Sequence, residues 1–150
     1  MAPAHRILVC AGVFVLLASF GSACEKGVRL SGGNNRTLVL SGDTVELEPG
    51  VTLHDVAVKA VNNADFDPVR ISARVGDIVR FTSRGTRTHA LVIAAPTPEA
   101  TALLDSTAQR RSPPLVSAGQ AWVISLKGWP AGTYTVSCLS HAGTASLLIQ

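Results

Sequence analysis

From residue 51 onward, apolar and polar positions alternate in short runs that end at turn residues, the period-two signature of half-buried strands. "VTLHDVAVKAV" opens the series. "DFDPVRISARV" places Ile71, Ala73 and Val75 on one face, Gly76-Asp77 turns, and "IVRFTS" brings Val79 and Phe81 together. "GTR" turns into "THALVIAA"; later come "AWVISL", the turn "KGWPAG", "TYTVSC" and the closing "ASLLIQ". The long polar connection "PTPEATALLDSTAQRRSPPLVSAGQ" interrupts them. Within it "TPEATALLDS" predicts a short helix, with Thr97 as N-cap and Pro98 at the first helical position. Six or seven short strands at regular spacing predict an all-β fold, a Greek-key β-sandwich over residues 51–150.

Before residue 51 the pattern differs. Residues 24–50 are polar and Gly-rich and read as a linker or N-terminal extension with one or two weak strands, "RTLVL" and "TVELE". Residues 1–23 read as a secretory signal. "MAPAHR" supplies a positive start, "ILVCAGVFVLLASF" an apolar run of 14 residues, and "GSA" a small-residue cleavage region. The run is short for a transmembrane span. Cys24 stands where a bacterial lipoprotein carries its lipidated cysteine, although Gly21 occupies the position usually held by Leu. Lipidation at Cys24, with a membrane tether, and simple cleavage near Ala23 are both compatible with this stretch. Either way the protein is expected outside the cytoplasm, periplasmic or secreted.

Composition agrees with a single β-rich domain. The 150 residues are 47% hydrophobic and 15% charged, with 13 Gly and 8 Pro. The formal net charge of +3 becomes +2 without Arg6, and nothing points to a nucleic-acid binder. Arg80, Arg84, Arg87, Arg110 and Arg111 cluster in sequence, either as a solvated face or as a surface that steers an acidic redox partner.

The scarce residues are the informative ones. Of three cysteines, Cys10 lies in the signal and Cys24 at the new terminus, which leaves Cys138 inside the domain. An exported protein usually pairs its cysteines, so a lone one calls for a reason. A Cys24–Cys138 disulfide would have to use a flexible tail. In "TYTVSC" the period of two puts Tyr134, Val136 and Cys138 on the core face, so the strand ends with an inward thiol. Tyr134 also sits where a tyrosine corner would lie. His141 follows three residues after Cys138, and His89 lies 49 residues upstream of it near another strand start. A thiolate and two imidazoles are the trigonal set that binds copper in electron-transfer sites: sulfur suits Cu(I), and imidazole tolerates both oxidation states.

On these residues the chain resembles the cupredoxins, the small blue copper proteins, and most of all their plastocyanin and amicyanin branch. The segments that carry the resemblance are "VGDIVRFTS", "THALVI", "PAGTYTVSCLSH" and "ASLLIQ", within about 75 to 80 C-terminal residues. The resemblance implies a type 1 copper site with His89, Cys138 and His141 as ligands, one-electron transfer to and from redox partner proteins, and no enzymatic activity of its own. Two departures stand out. The only methionine is Met1, so no axial Met follows His141; the shorter, amicyanin-like spacing puts Thr144 at the axial position and the longer one Ser146. The residue after His89 is Ala90 where the family often has a bracing Asn, so the bracing must come from elsewhere or be weaker.

The remaining candidates are weaker. His54 has no partner at a recognisable spacing and reads as a strand surface residue. Asp77 reads as a turn residue, and Trp122 and Trp129 as core and turn packing. Ser137 and Ser140 have no His–Asp relay apart from the ligand set, which leaves hydrolase chemistry little support. A copper carrier or scavenger and a metal-free interaction module are the rival functions. A monomer is expected.

Overall fold

The structure, a computed structural model, describes residues 37–40, 43–60 and 64–150. The signal reading of residues 1–23 and the lipidation site Cys24 lie outside the described residues. Among those described, no helix is long and apolar enough to cross a membrane.

Two four-stranded sheets face one another. One has the order β5 (Arg70–Ala73), β10 (Thr144–Ile149), β9 (Gly132–Cys138), β7 (Leu91–Ala94). The other has the order β4 (Ala64–Asp67), β3 (Leu53–Ala60), β6 (Ile78–Ser83), β8 (Ala121–Ser125). Both are mixed: β10 runs parallel to β5 and β3 parallel to β6, while the other neighbours are antiparallel. Parallel neighbours need crossovers between the sheets, which is what makes this a β-sandwich rather than two stacked meanders. A separate hairpin, β1 (Thr37–Leu40) with β2 (Asp43–Glu46), precedes the sandwich, and Leu38 and Leu47 beside it are buried.

Alternation builds the core. Tyr134, Val136 and Cys138 of β9 are buried, as are Ala145, Leu147 and Ile149 of β10 and Leu91 and Ile93 of β7. Val56, Val58, Phe66, Val79, Phe81, Trp122 and Ile124 face them from the second sheet. Phe81 stacks on Trp122 at 5.7 Å between ring centroids, and Phe66 meets Phe81 edge-on at 6.5 Å. Trp129 is buried in the turn before β9 and lies 5.0 Å from Tyr134. The Tyr134 hydroxyl donates to the Pro130 carbonyl at 2.9 Å, closing a tyrosine corner. The helix, α1 (Pro98–Ser106), starts with Pro98 as expected, and the Thr97 hydroxyl oxygen accepts from the Ala100 amide at 3.2 Å.

Four side chains depart from the pattern. Val75 does not join Ile71 and Ala73: β5 ends at Ala73, the chain turns, and Val75 is 49% exposed. Arg80 is buried instead of joining a solvated arginine face; its guanidinium grips Asp55 of the adjacent β3 with both Nε and Nη2, the latter at 2.7 Å. His54 does have a partner, Asp77, at 2.9 Å. Asp77 is itself buried and more than a turn former: it also accepts from the Thr52 amide and the Arg74 amide, each at 2.9 Å. Four residues from two separate stretches, 52–54 and 74–77, thus close one end of the sandwich.

Candidate metal centre

The other end of the sandwich carries the scarce residues. Cys138 is the last residue of β9, and the alternation set by Tyr134 and Val136 turns its sulfur inward. β7 lies alongside, with Leu91 opposite Cys138, so the residues just before Leu91 come level with the strand end. His89 is one of them. It is held by two backbone bonds, its amide to the Leu115 carbonyl at 2.9 Å and the Leu115 amide to its carbonyl at 2.8 Å. It is fully buried. His141 arrives on the short loop between β9 and β10 and stays half-buried.

These three converge. The Cys138 Sγ lies 3.7 Å from the His89 Nδ1 and 3.7 Å from the His141 Nδ1, and the three ligand atoms lie within 4.8 Å of one another. One sulfur equidistant from two imidazole nitrogens is also the spacing that a shared ion would set. Bonds of about 2.3 Å to sulfur and about 2.0 Å to nitrogen, opened to about 120°, set those atoms about 3.7 Å apart. The imidazole rings lie 5.3 Å apart, tilted by 52°. Burial, and then the neighbouring His141, pull the His89 pKa below the ordinary histidine range, which keeps a lone pair free for a metal. The donor set and spacing fit copper: one soft thiolate, two imidazoles, and no carboxylate in the cluster.

Bracing runs through the backbone. The Leu139 amide donates to the Ala90 carbonyl at 2.7 Å, and the Cys138 amide to the Gly143 carbonyl at 3.3 Å. The His89 Nε2 is buried with no hydrogen-bond partner among the described residues. Ligating imidazoles usually hand that proton to an acceptor, so here the ring is oriented by packing and by its peptide bonds.

Thr144 is not brought to the cluster. It begins β10 in register with Ser137, on the exposed face of the sheet, while Ala145 and Leu147 point inward. Ser146 shares the outward parity of Thr144. The role of Leu115 was not legible in the sequence, because a residue that acts through its backbone leaves no side-chain signature.

Comparison with solved structures agrees with this description. An oxidized plastocyanin from Dryopteris crassirhizoma is 25% identical, with 64% of this chain and 99% of that chain covered at a TM-score of 0.53. A mutant fern plastocyanin, solved oxidized and reduced, is 24% identical over the same shares, again at 0.53. A purple cupredoxin from Nitrosopumilus maritimus is 13% identical, with 65% and 99% covered at 0.48. The chain therefore has a cupredoxin-like fold. No family model matches it, and no curated protein matches its sequence.

Proposed function

We propose that the protein is an extracytoplasmic one-electron carrier that holds a single copper ion through His89, Cys138 and His141. The observation that carries this reading is the placement of one sulfur at 3.7 Å from two imidazole nitrogens. The plastocyanins of similar fold include one solved in both oxidized and reduced states. Copper supplies the redox chemistry, alternating between Cu(II) and Cu(I). The chain supplies a frame that need not rearrange: a sheet-end thiol, an imidazole locked by paired backbone bonds, and a second imidazole on a short loop. Buried His89 keeps water from the inner side, and half-buried His141 gives the site its surface contact. In this reading residues 1–23 are a signal peptide, residues 24–50 an extension and residues 51–150 the copper domain. The carrier works as a monomer without enzymatic activity, and lipidation at Cys24 would tether it to a membrane.

A titration with Cu(II), read by absorption and EPR beside Cys138→Ser, tests the reading. An intense thiolate-to-copper band at one equivalent, bleached reversibly by reductant and absent in the variant, is expected. Tight Cu(I) binding without that band would favour the second reading, a copper carrier that passes the ion on. The partly exposed His141 is the observation that supports that alternative.

A further inference from the structure

Three segments meet at the copper-site end: residues 84–91, 111–121 and 138–144. The paired bonds between His89 and Leu115 join the first two, and the Leu139 to Ala90 bond joins the first and third. Together they carry Arg84, Arg87 and Arg111 and not one Asp or Glu. All three arginines are exposed, and none has an ion-pair partner among the described residues. The neighbouring arginines differ: Arg80 is taken by Asp55 and Arg110 by Asp105. The buried carboxylate of Asp77 lies beyond the opposite end of β6.

The same segments expose apolar surface. Leu139, directly after Cys138, is 60% exposed, and Val116, directly after Leu115, is 52% exposed. A small apolar centre with free cations around it, on segments that carry no acidic residue, is a surface built to be covered. Its complement is a partner with a carboxylate rim around an apolar patch, since opposite potentials speed encounter and fix orientation while the apolar contact holds the complex.

We infer that this end of the sandwich docks an acidic redox protein, with Arg84, Arg87 and Arg111 steering it and Leu139 and Val116 packing against it. The inference rests on the electron-carrier reading above. Reduced plant-type ferredoxin serves as an acidic probe and hexaammineruthenium(II) as a small cationic one, each giving one electron to Cu(II) without a proton. The rate with ferredoxin should fall as ionic strength rises, and the rate with the ruthenium complex should not. Arg84→Glu/Arg87→Glu should slow ferredoxin about tenfold or more and leave the ruthenium reaction unslowed. NMR titration of the Cu(I) protein with oxidized ferredoxin should shift amides of residues 84–91, 115–117 and 139–143. A thermal melt and the thiolate-to-copper band, recorded first, show that the variant is folded and loaded. With the band present, equal ferredoxin rates in variant and parent, or shifts elsewhere, overturn the docking face and leave the carrier reading standing. Absence of the band in the parent removes both. Sedimentation with phosphatidylglycerol vesicles, with no shifts from ferredoxin, would assign the face to a lipid surface and overturn the proposal.

Discussion

The amide of Leu139 donates to the carbonyl of Ala90 at 2.7 Å, so the residue after Cys138 is fastened to the residue after His89. One peptide bond on each side of this link sits a metal-ligand candidate. Their separation is thereby set by the sheet, whatever happens at the exposed loop. Apo and loaded protein should accordingly differ little here. The Leu139 amide should show similar hydrogen-exchange protection before and after metal is added.

The two imidazoles should respond differently to removal. His141→Gly opens a gap at the surface, because His141 is half-buried, and exogenous imidazole should restore the thiolate-to-copper band. His89→Gly leaves an enclosed gap, because His89 is 0% exposed, and should cost about 2 to 4 kcal/mol of stability without rescue. The band and a denaturant melt, recorded with and without imidazole, check both.

Thr144→Ala should leave the position of that band unchanged. Thr144 stands on the exposed face opposite Ser137, away from the inward thiol. A shift in the absorption maximum of more than a few nanometres would place its hydroxyl on the metal after all.

Asp77 should make stability depend on acid pH. Burial opposes its charge, yet the hydrogen bonds from the Arg74 amide, His54 and the Thr52 amide outweigh it and hold its pKa below the usual carboxylate range. A lowered folded-state pKa means the carboxylate contributes its full share above the unfolded value near 3.8. That share fades as pH falls through the lower, folded value. Asp77→Asn should cost about 1 to 3 kcal/mol at neutral pH and flatten the loss below about pH 4. Urea melts across the acid range measure both.

Tyr134→Phe should cost about 1 kcal/mol by removing the hydroxyl's bond to the Pro130 carbonyl, with the ring packing on Trp129 kept. Urea melts of the two proteins measure it.

The sequence made the sandwich legible because strand alternation is a local signal. Tyr134, Val136 and Cys138 could be placed on one face from their spacing alone, and α1 from its Thr-Pro start. His89, Cys138 and His141 were legible because the chain has so few of their kind. What escaped were contacts between distant segments. Nothing in the spacing of Arg80 and Asp55, or of His54 and Asp77, marks them as partners, since each pair is joined only when β3 and β6 align. The outward turn of Thr144 was equally hidden, because it depends on the register of β10 against β9 and not on its distance from His141.

The stretch from Arg110 to Leu115 runs along β7, pairing at Ile93, Leu91 and His89. β7 is the last strand of its sheet, and a bare last strand offers its peptide groups to any other chain. This cover ends on the residue that holds His89, so the protection of the edge and the posture of a candidate metal ligand belong to one piece of chain. Peeling it back would expose a sticky border and loosen the candidate metal centre in the same event. Resistance to aggregation and the proposed hold on copper would thereby be tied together in this protein.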